Sequence, residues 1–518
     1  MSPNVLIGIG GTGARVVEAM INLCAAGYGP DNLAVFIIDP DEGNGNLTRT
    51  KTLISLYQRC QQRFNPTAAT ENKLFRTTLK TPGNLVWSIF KQKGTRLKDY
   101  IKLESMDHPL ADFATVLFSD DELLTNLEKG FRGHPSIGSV VMANPDQNED
   151  PWTILWDDIT NKKQNEVRVF LAGSVFGGTG AAGVPTIGSR NLIKFNENAT
   201  IGKEKSRVLL GGALVLPYFS IERDDDTEES MFVTHYDFPI ATKAALHYYN
   251  EKQLGFDQLY LIGDSLNQKV GKFSVGSQSQ ENSPHYIELV TALAAFDFFE
   301  QPPVEGEPEK LYFISSRENE TITWDSLPVS RKDEQIRPRQ VELKSQLLTM
   351  TTFAYTMCTY GQEILDRDHK GIRDPWYREH FEFDEKNEKD NNKNPRWGEN
   401  KTDLKNFTDY LSKYFLPWVT LMDDYSQKVS LISRERICEG DVRVGAAPTL
   451  ADREKKKENI GHFTKERNPE GKNFDQFLTL GLLAVNISRE KTLSAADRFV
   501  NIFYEAAMKF CKQNYNLQ

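Results

Sequence analysis

The chain has 518 residues, 39% hydrophobic and 11% aromatic, which gives room for two or three domains and a sizeable core. Its formal net charge of −10 leaves no basic footprint for nucleic acid, and no run reaches the roughly 20 apolar residues of a membrane span. The five cysteines (Cys24, Cys60, Cys358, Cys438, Cys511) are odd in number and widely spaced, with no C-x-x-C pair, and the N-terminus lacks a basic region ahead of a long apolar stretch; the expectation is a reduced, cytoplasmic protein with neither disulfide framework nor zinc site.

In chain order, the apolar run NVLIGI (4–9) predicts a strand, the glycines after it a turn, and Val17, Met20, Ile21 and Cys24 at helical spacing a helix. LAVFIID, ending at Asp39, predicts a second strand, so that strand, helix and strand open a parallel sheet. VRVFLAG (167–173), VLLGGALVL (208–216) and QLYLIG (258–263) are further buried-strand candidates. Strands of this kind separated by helical stretches predict a doubly wound α/β layer with a parallel sheet.

Asn282-Ser283-Pro284 predicts a helix start, with Ser283 as cap and Pro284 in the first turn, where its missing N–H costs nothing. The following YIELVTALAAFDFF is apolar on every side, so a long central helix buried between two layers is expected. PPVEGEPE then reads as a linker. The expected organisation is a nucleotide-binding domain over 1–281, the central helix over 282–300, and a second α+β or mostly helical domain over 301–518. The polar stretches 384–405 and 452–472 read as solvated loops or insertions in that second domain.

The chemistry concentrates in two glycine turns, GIGGTG at 8–13 and GGTG at 177–180, each between an apolar run and a helix. Such a turn aims free N–H groups and the positive end of the helix dipole at an anion, and glycine lets the backbone reach phosphate oxygens that a Cβ would hold away. Glycines also serve tight turns and close helix–sheet packing; two copies of G-G-T-G at strand-to-helix junctions favour the ligand reading. Taken singly, the first turn fits G-x-G-x-x-G through Gly8, Gly10 and Gly13, with Asp39 near a ribose-binding position, as in a Rossmann-type NAD-binding enzyme. IDPDEGNGNLTR (38–49) comes within one residue of an adenylating-enzyme pattern. Either alternative uses only the first turn. Neither turn ends in GK[ST] and no lysine enters either, so phosphate charge would be met by amides, dipoles and Mg²⁺. H-E-x-x-H, G-x-S-x-G and C-x-x-C are absent, and His235, His247 and His285 read as ordinary core or surface residues.

Through AGSVFGGTGAAGVPTIGSR, GFRGHPSIG and HYIELVTALAAFDFF, the chain resembles the tubulin/FtsZ superfamily over roughly residues 1–330, and within it the bacterial tubulin-like proteins. The resemblance implies GTP or GDP with Mg²⁺ held by phosphates and water rather than by a protein ligand set. It implies Gly10, Gly11, Thr12 and Gly13 at the α- and β-phosphates, with Asp39 or Asp41 near the metal or ribose. Gly133 and Ser136 would face the γ-phosphate, and Gly177, Gly178, Thr179, Gly180 and Ala181 would form the signature cradle. A ribose loop would fall near Glu222 and Arg223, in an acidic stretch that reads equally as a solvated loop. The base would lie near Asp264 and the start of the central helix, with Asn282 and Glu288 as candidates; Asn282 reads equally as a turn residue.

In polymerising relatives an acid after the central helix hydrolyses the nucleotide of the next subunit. The N-x-D-x-x-D pattern is missing here, and Glu318, Glu320 and Asp325 lack its spacing; Asp325 is the catalytic candidate. The implied partners are further copies, as homo-oligomer or filament, and other proteins of a multi-gene system. The implied role is bacterial cytoskeletal work or antiviral defence.

Overall fold

The computed structural model describes residues 3–64, 74–88, 94–131, 133–143, 145, 149–150, 152–153, 155, 166–192, 207–222, 238–252, 254–264, 268–272, 283–301, 309–315, 320–328, 336–361, 401–420, 423–424, 428–432 and 495–514. Among the described residues, eight parallel strands form the main sheet. They are β1 (Asn4–Ile9), β2 (Asn32–Ile38), β3 (Thr78–Lys80), β4 (Val86–Trp87), β5 (Glu166–Ser174), β6 (Arg207–Val215), β8 (Gln258–Gly263) and β10 (Lys310–Ser315). Their order is β10-β8-β6-β5-β1-β2-β3, with β4 also paired to β2. Two further strands, β7 (Phe219–Glu222) and β9 (Gln268–Lys272), pair parallel apart from it.

Both faces of the sheet are covered along its central strands β1, β2, β5, β6 and β8, which is why these read as continuous apolar runs. Successive side chains alternate across a strand. Leu6, Val35, Ile37, Phe170 and Ala172 therefore enter one core, while Val5, Ile7, Ile9, Phe36, Val169 and Leu171 enter the other. The first core holds α1 (Gly10–Ala25), α2 (Gly45–Phe64) and α7 (Tyr286–Glu300). The second holds α4 (Pro135–Met142) and α5 (Gly178–Pro185), and Tyr249 of α6 (Phe238–Lys252). This is the doubly wound α/β arrangement expected from the strand candidates.

Helix α7 is the buried central helix: every residue from Tyr286 to Phe299 except Asp297 is buried. Its start differs from the sequence expectation. The helix begins at Tyr286, and His285 rather than Ser283 caps it. The His285 Nδ1 accepts from the Ile287 N–H at 3.2 Å, and Glu288 Oε2 accepts from the His285 N–H at 3.0 Å. Pro284 lies outside the helix, and a reciprocal capping box from a residue two positions later displaced the serine.

Described residues beyond α7 add to the first core. Strand β10 pairs with β8 at the sheet edge. Helices α8 (Ile336–Thr356), α9 (Lys401–Tyr410) and α10 (Ala495–Asn514) add Leu347, Phe353, Phe407, Phe503 and Phe510 to the core that contains α1 and α2. Tyr410 donates to Asn22 Oδ1 at 3.0 Å, and Arg63 bridges Asp403 and Asp497 at 2.9 and 3.1 Å. Among the described residues, no helix is long and apolar enough to cross a membrane.

Glycines in β6 set how closely α7 approaches. A Cβ on Gly211 would lie 2.7 Å from Phe298 on α7, and one on Gly212 would lie 2.6 Å from Phe256 on the opposite face. Gly211→Ala is expected to destabilise by about 1–3 kcal/mol through overpacking. Combining it with Phe298→Leu is expected to cost less than the sum of the two single changes. Urea unfolding of the three variants checks this; strictly additive costs would mean that Gly211 and Phe298 do not compete for the same space.

Candidate functional site

Strands β1 and β5 lie side by side, Gly8 opposite Ala172 and Ile9 opposite Gly173, so both glycine turns leave the sheet at neighbouring carboxyl ends. The sheet also changes direction here. From β1 the order runs through β2 and β3 on one side, and from β5 through β6, β8 and β10 on the other. Open parallel sheets bind ligands in the crevice at such a switch point. The two turns touch: a Cβ on Gly10 would lie 3.4 Å from Thr179 Cβ and 3.6 Å from the Gly180 nitrogen. Gly10 itself has φ +73°, which glycine adopts without strain.

Both turns open helices without a side-chain cap. Ile9 precedes α1 and Gly177 precedes α5, and neither helix carries an acid in its first turn. The first N–H groups of a helix lack intrahelical acceptors, and together with the dipole they present partial positive charge. Two such ends converge on one place.

The glycines divide by what would oppose a side chain. Gly13 and Gly8 pack against each other and the sheet: a Cβ on Gly13 would stand 2.6 Å from Gly8 C and 2.7 Å from the Ala172 carbonyl oxygen. Gly180 is pressed on the Ser174 backbone in the same way. At Gly178 a Cβ would meet the Gly133 nitrogen and Phe131 Cβ at 3.0 Å, so the loop before α4 abuts the second turn. Gly133, with φ +81°, is thereby brought to the site, while Ser136 sits exposed in the first turn of α4. Gly11 and Gly177 are different. A Cβ on Gly11 would meet nothing nearer than the Asn46 and Asn44 amide nitrogens at 3.8 and 3.9 Å, and one on Gly177 only Ser174 Oγ at 3.2 Å. Packing accounts for Gly8, Gly13, Gly178 and Gly180; it does not account for Gly11, and at Gly177 a Cβ would require only the Ser174 hydroxyl to give way.

Ala181 is buried, its carbonyl accepting from Tyr249 at 2.6 Å. Thr12 and Thr179 are partly exposed on the two turns. Thr12 lies close enough to Tyr218 to lower its pKa, against the larger rise that burial causes. The segment after β2 supplies the third side. Asp39 Oδ1 accepts from the Asp41 N–H at 3.0 Å, and Asp41 Oδ1 from the Gly43 N–H at 3.1 Å. Asp39 is buried, and that burial pushes its carboxyl up to about 7; the Asp41 N–H opposes the shift and the Asp41 charge adds to it. Among the described residues, no group of three or more His, Cys, Asp or Glu is placed to hold a metal ion.

One turn into α1, Arg15 forms a buried ion pair with Glu288 of α7 and donates to the Ser283 carbonyl at 3.1 Å. Burial works against the Arg15 charge, but Glu288, Tyr218 and Glu18 offset it and hold its pKa above the ordinary value. For Glu288, burial pushes the carboxyl above its ordinary value, and Arg15 and the His285 N–H offset only part of that rise. Tyr218 donates to Glu288 at 3.2 Å, and its ring packs on His285 with centroids 4.7 Å apart and planes tilted by 57°. Burial, reinforced by Arg15, lowers the His285 pKa to about 3, so the ring is neutral with its proton on Nε2. Glu18 in turn holds Arg49 of α2 at 2.7 Å. Neither Arg15, Tyr218 nor His285 carries a recognisable motif in the sequence; only the fold brings them to Glu288.

The other sequence candidates are spread. Asp264 follows directly on β8, and Glu222 stands opposite Lys272 in the backbone register of β7 and β9. Asn282, Arg223 and Glu318 lie outside the described residues. Asp325 is exposed in a short turn after β10, where it lines a cleft of about 510 Å³ with Glu320, Tyr286 and Ile287.

No protein-family model and no curated protein matches this sequence. Among solved structures, CetZ2 from Haloferax volcanii, described as a GTPgS bound protofilament, matches with 13% identity and a TM-score of 0.23. The match covers 51% of this chain and 49% of that one.

Two measurements probe the site's electrostatics. Breaking the buried pair with Arg15→Met is expected to cost about 3–5 kcal/mol, because Glu288 is left uncompensated. Arg15→Met with Glu288→Leu is expected to cost less than Arg15→Met alone; a larger loss in the double variant would show that the pair does not act as a unit. Asp39 and His285 bias stability in opposite directions. The folded Asp39 value of about 7 lies above the ordinary one, so the unfolded chain releases that proton first and stability falls as pH rises from about 4 to 7. The folded His285 value of about 3 lies below the ordinary one, so the unfolded chain takes up a proton first and stability falls as pH drops from about 6.5. Relative to wild type, Asp39→Asn is expected to gain stability towards pH 7 and His285→Asn towards pH 4. Denaturation across that range reads both slopes, and parallel curves would contradict the burial of these groups.

Proposed function

We propose that the chain is a tubulin-like guanine-nucleotide-binding protein, with one nucleoside triphosphate spanning both glycine turns at an interface between copies and controlling their assembly. The carrying observation is the contact between two uncapped, glycine-opened helix ends at the switch point of the sheet. A dinucleotide enzyme reads its pyrophosphate with one such end and leaves the second without a task. A triphosphate spreads its charge over enough length to use two.

In this reading the amides of Gly10–Gly13 hold one end of the phosphate chain and those of Gly177–Gly180 the other. Gly11 and Gly177 lack side chains because phosphate oxygens occupy the space in front of them. Bound Mg²⁺ would neutralise the remaining phosphate charge, held by phosphate and water, with Asp39 or Asp41, on the segment after β2, the carboxylates offered to it. Gly133 stands behind Gly178 and supports the far end of the chain. Asp325, exposed and on a turn after the sheet's last strand, suits an acid presented to the nucleotide of another copy, so hydrolysis would require assembly. Bacterial cytoskeletal or antiviral work in the cytoplasm, alongside other proteins of a multi-gene system, is the setting the sequence resemblance suggests.

Equilibrium titration with fluorescent GTP, competed by ATP and by NAD, tests the reading. Wild type is expected to bind GTP in a Mg²⁺-dependent way. Gly11→Val and Gly177→Val are each expected to weaken binding by at least about 10-fold without a large change in melting temperature, since a Cβ at Gly11 meets nothing nearer than 3.8 Å and one at Gly177 only the Ser174 hydroxyl at 3.2 Å. NAD binding that survives Gly177→Val would instead favour a Rossmann-type enzyme using only the first turn. Sedimentation with and without GTP examines assembly, and an unchanged particle size would remove the switch.

A further inference from the structure

Helix α3 (His108–Leu117) carries its apolar side chains on the outside. At about 100° per residue, Leu110, Phe113, Val116 and Leu117 fall within one arc of roughly 120°. All four are exposed, at 58%, 60%, 82% and 55%. Only Ala114 of this helix is buried, and Phe118 just beyond it. A surface helix ordinarily turns such a stripe inward. Here a small alanine makes the inward contact and the large side chains face solvent, forming the contiguous apolar patch that marks interaction sites.

The charge around this stripe selects what can cover it. Asp107, Asp112, Asp120 and Asp121 are exposed beside or just beyond the helix. From residue 97 to 124 the chain carries seven acidic residues against two lysines. A second copy set face to face would bring these carboxylates together, and an anionic lipid surface would be repelled by them. A segment with apolar anchors flanked by lysine or arginine satisfies both the stripe and its rim.

We propose that α3 is a docking face for a basic amphipathic helix of a partner protein. Its apolar side chains pack on Leu110, Phe113, Val116 and Leu117, and its cations face Asp107, Asp112, Asp120 and Asp121. The docking face does not depend on nucleotide, so its test runs without any.

The full-length chain is titrated against a fluorescent leucine/lysine peptide of roughly 14 residues, patterned to place its leucines on one helical face. A leucine/glutamate peptide of the same pattern serves as its counterpart. Expected are saturable one-to-one binding of the lysine peptide, weakened by salt, and at least about 10-fold weaker binding of the glutamate peptide. Phe113→Ser with Leu117→Ser, and separately Phe113→Lys, are expected to weaken the lysine peptide by at least about 10-fold with thermal unfolding unchanged, because these side chains are exposed. Equal binding of both peptides, or variants that bind like wild type, would overturn the proposal. So would a concentration-dependent dimer, or adsorption to anionic vesicles, that these substitutions abolish, since either would name a different occupant.

Discussion

The structure depends on one juxtaposition: two parallel neighbouring strands, β1 and β5, each end in a glycine turn that starts a helix, and the two turns touch through Gly10, Thr179 and Gly180. Close approach of backbone to backbone is possible only where side chains are missing. Gly8 against Gly13 and Gly180 against Ser174 let each helix rise directly over its own strand, and Gly173 admits Val184 of α5, which a Cβ would meet at 2.9 Å. The result is a pair of helix N-termini, neither capped by a side chain, held at a separation fixed by the inter-strand spacing of about 5 Å. Partial positive charge concentrated in this way is unfavourable by itself, and it is stabilised by an anion.

The same helix that opens at the first turn is tied to the middle of the molecule. Arg15 lies one turn from Gly11 and pairs with Glu288 at the start of α7, and Tyr218 donates to the same carboxylate. Buried ion pairs contribute little net stability, but the loss of one partner is costly, so this pair fixes the geometry of the elements it joins. Glu18 and Arg49 extend the connection to α2, and Asn22 with Tyr410 extends it to α9. Any displacement of the first turn is therefore felt by the central helix and by the C-terminal helices that share its core.

Much of the fold was legible because burial on both faces of a parallel sheet writes itself as unbroken apolar runs. NVLIGI, LAVFIID, VRVFLAG, VLLGGALVL and QLYLIG all became strands, and YIELVTALAAFDFF the buried helix. Strand β10 escaped notice because its residues are mostly exposed at the sheet edge and its run, KLYFIS, follows a linker-like stretch. The start of α7 was misplaced for a local reason: Ser283 and Pro284 look like a helix start, but a histidine cap signals weakly in sequence, and Glu288 three residues on completes the box with His285. At the site, the repeated G-G-T-G was readable as two strand-to-helix turns. Which glycines serve packing and which face open space was not, because that depends on atoms from other strands. Arg15, Tyr218 and His285 are ordinary residues separated by long stretches of chain, and only the fold makes them neighbours.

The central claim is that both turns grip a single ligand, and amide hydrogen exchange tests it most directly. The exchange of residues 10–13 and 177–180 is followed while GTP and Mg²⁺ are titrated into the intact chain. The account predicts that both segments slow together, with the same half-saturation concentration. Slowing confined to 10–13, with 177–180 unaffected at saturation, would contradict it.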